Sequence, residues 1–169
     1  MQLGLLPAAL IAAIIPLLVG FVWYHPKVFG TQWQKEAGIK TEQMTGANMP
    51  LIFGLTFFFS ILIAVMMCVI SVHQLHIGSI FADTPEFSQT GTELNTWYVG
   101  FMEKYGHNFR SFKHGAFHGT LAGIFFALPI IGVNALFERR SAKYILINVG
   151  YWIVSLALVG GFMCQFVAL

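Results

Sequence analysis

Charge is what this chain lacks. Its nine basic and seven acidic residues fall within 27–42, 83–113 and 138–143, and the stretches between carry none. Charged residues make up 9% of the chain, against ~25% in soluble domains. With a mean hydropathy of +0.73, that excludes a soluble core. A charge at the bilayer centre costs ~2.5–3.5 kcal/mol on insertion scales, so uncharged runs of ~20 residues are what membrane crossings require. Cysteine is scarce too: Cys68 and Cys164 both sit in apolar runs, where a thiol behaves as a small hydrophobe, so no disulfide framework is expected. The net charge of +2 comes without a clustered cationic face, which argues against a nucleic-acid partner. Neither an H-E-x-x-H zinc signature nor a nucleophile motif is present. The first apolar run has no basic n-region and is about twice as long as a signal-peptide core, so it reads as a retained helix.

The uncharged runs predict an all-α membrane protein of one domain, 1–169, with four transmembrane helices at about 3–24, 50–71, 112–137 and 144–169. The second has an extension to Ile80 left open, because 43–82 is uncharged. These runs are far longer than the ~9–11 residues of a barrel strand. Pro16 and Pro129 predict kinks, whereas Pro7 falls in the opening turns, where a missing donor is tolerated. The extramembrane loop 81–111 contains Leu94, Trp97, Tyr98, Phe101, Met102 and Tyr105 at spacings of three and four, with Thr90 and Glu93 fitting a capping box. It reads as a short amphipathic helix that lies at the headgroups or caps the bundle.

An even number of crossings puts both termini on one side with loop 81–111. Loops 25–50 and 138–143 then share the other side, and they hold six of the nine basic residues (Lys27, Lys35, Lys40, Arg139, Arg140 and Lys143). The positive-inside rule makes these two loops cytoplasmic, with the termini and loop 81–111 outside a cell membrane.

Five of the six histidines flank or enter loop 81–111: His73, His76, His107, His114 and His118. His114 with His118, and His73 with His76, have the spacings that share a helical face. Such pairs present imidazole nitrogens to zinc or another divalent metal, and Asp83, Glu86 or Glu103 could complete a shell. Proton sensing, or hydrogen bonding at the membrane boundary with no cofactor at all, are the alternatives. Gly115, Gly119 and Gly123 form a small-residue ladder that admits a neighbouring helix to backbone contact, within the chain or in a homo-oligomer. At the far end of the same helix Asn134, Glu138, Arg139 and Arg140 form a polar cluster, with Asn148 on the next helix. Glu138 lies about 30 Å from His118 along a helix, so the two belong to separate regions.

Trp23, Tyr24, Pro26, Phe29, Gly30 and Trp33 describe a turn back onto the headgroups, built on aromatic groups around a helix-ending proline. This run, with Lys35 to Ile39, His118-Gly119, Asn134 to Glu138 and Asn148 to Tyr151, resembles the DUF1761 family of small multi-pass membrane proteins. The resemblance implies the architecture and no particular mechanism. Loop 81–111 is longer than in that family, and His25 stands where a small polar residue is expected. The expected function is a non-enzymatic membrane module, an accessory or structural subunit acting among membrane lipids as a homo-oligomer or within a larger complex. The alternative is a small transporter or channel with a His-rich outer vestibule. Against it, no charge marks an intramembrane route.

Overall fold

A computed structural model describes residues 2–44 and 46–168, so Leu169 of the expected fourth helix and Thr45 of the first loop lie outside the described residues. Four helices are long and apolar enough to cross a membrane: Leu5–Trp23, Met49–Ser71, Phe112–Phe137 and Ala142–Phe166.

Proline sets the internal breaks. The first long helix is interrupted after Ala12 and resumes at Ile14. Ala12 is four residues before Pro16, whose ring crowds that carbonyl and whose nitrogen has no proton to give it. The third long helix passes through a π-helical turn, Gly123–Ala127, immediately before Pro129. The same clash there falls on Phe125, inside that turn.

The second long helix does not run on to Ile80. It ends at Ser71, Val72 leaves helical geometry at φ −104° and ψ 89°, and Gln74–Ile80 forms a separate short helix. The helix of loop 81–111 spans Glu93–Tyr105, and its N-cap is Thr92 rather than Thr90. Thr92 Oγ1 accepts from Asn95 N at 3.3 Å and donates to the Gln89 carbonyl at 3.0 Å, two bonds that the more distant Thr90 does not make. Tyr98 packs edge-on to Phe87 with ring centroids 4.8 Å apart, and Trp97 stacks on Phe101.

The fourth long helix is the hub. It is the most buried of the four, with 39% of its most apolar window inside the protein against 17% for the third. Val159, Met163 and Cys164 on it are fully buried, and the first two pack with Ala8, Ala9 and Ala12 of the first helix and Ala64 and Met67 of the second. Tyr151 donates its hydroxyl to the Pro16 carbonyl at 3.1 Å, tying the fourth helix to the first just beyond its break. Leu3 pairs with Val167 in an isolated parallel bridge, and Arg110 donates to the Val167 carbonyl. These contacts gather both ends of the chain and the end of loop 81–111 at one end of the bundle. At the opposite end Arg140 donates to the Ala37 carbonyl at 2.7 Å, joining the first and third loops.

Candidate functional site

The glycines come first because they set the azimuth of everything on the third helix. A Cβ on Gly115 would enter the Gly160 backbone, and one on Gly119 would come 2.7 Å from Ala157 Cα. At Gly123 it would meet Ile153 Cγ1 at 2.6 Å. All three therefore face the fourth helix of the same chain, at separations only a missing side chain permits.

Successive helical residues are about 100° apart, so His114 and His118 point away from that contact, toward the end of the second helix. There the break at Val72 delivers His73. Nε2 of His73 and Nε2 of His114 are 2.9 Å apart, a hydrogen-bond distance between residues 41 positions apart in sequence. The His118 ring stands 4.9 Å from His73 and 4.6 Å from His114, centroid to centroid. One ligand nitrogen from each of the three lies within 4.8 Å of the others. Ser111 caps the helix that carries two of them, its hydroxyl accepting from His114 N at 3.3 Å. Phe109 lays its ring 5.1 Å from His114 and is held at φ 61°, in a left-handed conformation uncommon for a bulky residue.

The other histidines stand apart. His76 turns back to the Val69 carbonyl, at 2.8 Å, on a helix whose start at His73 removes the shared face that the spacing suggested. His107 is exposed in the turn after Tyr105. Asp83, Glu86 and Glu103 do not join the three imidazoles, and among the described residues no other cluster of three such groups occurs.

At the opposite end of the bundle the aromatic turn is built around Gly30. His25 caps a π-helical turn, Pro26–Gly30, by accepting from Lys27 N, and Thr31–Ala37 continues it as an α-helix. A Cβ on Gly30 would run into the Tyr24 carbonyl, and 2.9 Å from the His25 carbonyl carbon, so only glycine fits this closure. The turn points three aromatic donors at the fourth helix. Tyr24 donates to Asn148 Oδ1 at 3.1 Å and Trp33 Nε1 to the same oxygen at 3.3 Å, while Trp23 Nε1 reaches the Ile147 carbonyl at 3.0 Å. Gly150 makes room for the Trp23 ring, since a Cβ there would sit 2.8 Å from Cζ2. The Trp23 and Phe29 rings are 4.6 Å apart. Burial, with Tyr151 and Tyr144 nearby, raises the Tyr24 pKa, so its phenol remains a donor.

Asn134, Glu138, Tyr144, Asn148 and Trp152 line a cavity of about 210 Å³ with Ile131 and Ala135. Glu138 Oε2 is 3.4 Å from Arg140 Nε, and Arg139 is held at φ 55°. Both partners of this ion pair are substantially exposed, so its contribution is small. Three contributors at this end, Glu36, Tyr144 and Trp152, lie outside the polar cluster expected from sequence. Glu36 accepts from Gln32 Nε2 at 2.6 Å and from Ser141 Oγ at 2.5 Å, and the Ser141 bond does most to lower its pKa below the ordinary glutamate value. Tyr144 and Trp152 flank Asn148 at a spacing of four, a helical stripe that was there to be found.

Fold and sites together define an all-helical protein with four long apolar helices, an imidazole cluster at one end and an aromatic and amide network at the other. The chain belongs to DUF1761, a family described as proteins of unknown function, whose model matches residues 7–164. That match runs through the segment bearing the histidines as well as the aromatic turn. No curated protein and no solved structure matches the chain.

Proposed function

We propose that this is a multi-pass membrane protein with no enzymatic activity of its own, an accessory or structural subunit that assembles in the bilayer plane with further copies of itself or within a larger complex. The observation that carries this reading is the state of the second long helix between Met49 and Phe59. Leu51 (56% exposed), Ile52 (46%), Phe53 (53%) and Leu55 (47%) are all exposed, only Thr56 and Phe57 are half-buried, and the first fully buried residue is Ser60. A helix that belongs to a finished bundle buries one stripe along its length. Here about 16 Å of apolar helix has no fully buried side chain. Gly54 has open space within 4 Å of where a Cβ would stand, so another backbone can approach there.

The glycine ladder at 115–123 is engaged with the fourth helix, which leaves the second helix as the better seam for a homo-oligomer. In this reading loops 25–50 and 138–143 face the cytoplasm, where their basic residues meet anionic lipid. Loop 81–111 and the termini face outward, with Trp97 and Tyr105 of the Glu93–Tyr105 helix at the headgroups. A transport route gains no support from the interior, where Ala64, Met67, Val159 and Met163 fill the space between the helices.

The test is disulfide cross-linking in native membranes with single cysteines placed on the exposed surface, alongside molar mass in mild detergent. Leu55→Cys is expected to cross-link to a second copy or to one co-purifying membrane protein. Leu146→Cys, more exposed still but on the fourth helix, is expected not to. A single-chain mass, with no cross-link at either position, overturns the assembly.

A further inference from the structure

We propose that His73, His114 and His118 form a binding site for one divalent transition-metal ion of the zinc type, with the fourth coordination position left open. Three imidazoles from two separate elements converge so that their nitrogens lie within 4.8 Å of one another, and one pair is already at 2.9 Å. Zinc binds imidazole nitrogen at ~2.0–2.1 Å, so two ligands of a tetrahedral ion stand about 3.3 Å apart. The nitrogens bracket that separation. A shift of a few tenths of an ångström opens the hydrogen-bonded pair, and a small rotation of the third ring closes the triangle.

The donor set chooses the ion. Three neutral imidazoles suit zinc, copper, nickel or iron, whereas magnesium and calcium take oxygen ligands, and no carboxylate joins the group among the described residues. Three protein ligands are also the number found where a metal keeps a position for water or an exogenous ligand, not the four of a closed structural site.

Two features of the surroundings read as built for the site. His73 is where it is only because the second helix breaks at Val72, at a non-helical φ/ψ of −104° and 89°. Phe109, in van der Waals range of His114, holds a left-handed backbone conformation at φ 61°. Such strain concentrates at functional sites. Gln74 donates to the Asn108 carbonyl at 2.8 Å, pinning the segment after His73 to the segment before the third helix, so the two sources of imidazole are held together by more than the imidazoles.

The experiment uses the full chain purified in mild detergent, stripped with chelator and titrated calorimetrically with zinc, with magnesium as the contrasting ion. Cobalt is added separately for its visible absorption. One zinc ion per chain is expected, no magnesium binding, and a cobalt spectrum of tetrahedral intensity. His73→Ala and His118→Ala are each expected to weaken zinc binding by about 100-fold or more and to abolish that spectrum. His76→Ala and His107→Ala are expected to leave both unchanged, which separates a built site from histidine content. His114→Gln, which keeps a hydrogen-bonding side chain, serves should an alanine variant lose its helical signal. Substoichiometric zinc in the wild type, or equal losses in all the histidine variants, overturns the site. Those outcomes are independent of the oligomer, which the molar mass of the same sample reads separately.

Discussion

Replacing Gly119 by alanine tests the packing on which both the fold and the imidazole cluster depend. The new Cβ would stand 2.7 Å from Ala157 Cα and closer still to the Leu156 carbonyl, where carbon contacts settle at ~3.5–4.0 Å. The third and fourth helices must therefore part by about 1 Å. Overpacking costs ~1–3 kcal/mol, and the upper end applies because the obstacle is backbone, which cannot rotate away. Against this stands the ~1 kcal/mol by which alanine favours a helix over glycine, leaving a net loss of about 2 kcal/mol. Gly132 lies on the same long helix with nothing within 4 Å, so Gly132→Ala takes the helical gain alone. The two variants should thus differ by about 3 kcal/mol, or ~6–12 °C in Tm for a chain of this size. Thermal unfolding in a single detergent measures the gap. Thiol labelling checks its cause, since Cys164 is fully buried beside Gly115 and should react faster in Gly119→Ala. Melting temperatures within about 2 °C of each other would refute the reasoning.

Asn148→Leu removes the oxygen shared by Tyr24 and Trp33, stranding two part-buried donors at ~1 kcal/mol or more each. A Tm lowered by several degrees with red-shifted tryptophan emission is expected, while Asn148→Asp, which keeps the acceptor, should lose less; an unshifted Asn148→Leu would show that the network contributes nothing. Glu36 has a folded pKa below its ordinary value, so its contribution to stability is complete above the ordinary carboxylate range of ~4 and is lost as pH falls through the lowered folded pKa. Stability measured from pH 6 to pH 3 should therefore fall less steeply in Glu36→Gln than in the wild type, and parallel profiles would contradict the Ser141 and Gln32 bonds.

Much of the fold was legible because the bilayer imposes a simple demand. Uncharged runs of sufficient length mark the four long helices, and Pro16 and Pro129 mark their internal breaks, each felt four residues earlier. The end of the second helix was not legible. Nothing in an uncharged, apolar stretch from 43 to 82 distinguishes Ser71 from any neighbour as a stop. That single boundary decides the histidine pairing: a continuous helix pairs His73 with His76, whereas a break at Val72 turns His73 to the third helix and leaves His76 on the Val69 carbonyl. The glycine ladder announced a close approach without naming the partner, since small residues record a distance and not an identity. Gly160, whose own Cβ would strike the Gly115 backbone, is the complementary half. Thr92 displaced Thr90 as a cap for a similar reason, because both threonines satisfy a loose pattern and only the neighbouring carbonyls choose between them.

The two ends of the bundle are tied to the hub helix by opposite strategies. At the aromatic end large side chains reach across: Trp23, Tyr24 and Trp33 span the gap with directed hydrogen bonds, and Gly150 yields the space they need. Such contacts specify register through side chains, and on the side of Asn148 that faces the third helix a cavity remains. At the imidazole end side chains are deleted, and Gly115 and Gly119 bring two backbones into direct contact. A helix clamped in that way has one rotational setting, since turning it by a single residue would drive His114 and His118, or Ala116 and Thr120, into the hub. The same ladder that removes side chains from one face therefore fixes where the neighbouring imidazoles point, and a polar cluster at this depth needs that fixity. Three imidazoles on a loosely packed helix would turn to different carbonyls, as His76 does. Held by the glycines, His114 and His118 stand side by side against His73, and the geometry of a three-nitrogen site follows from packing before any ion is present.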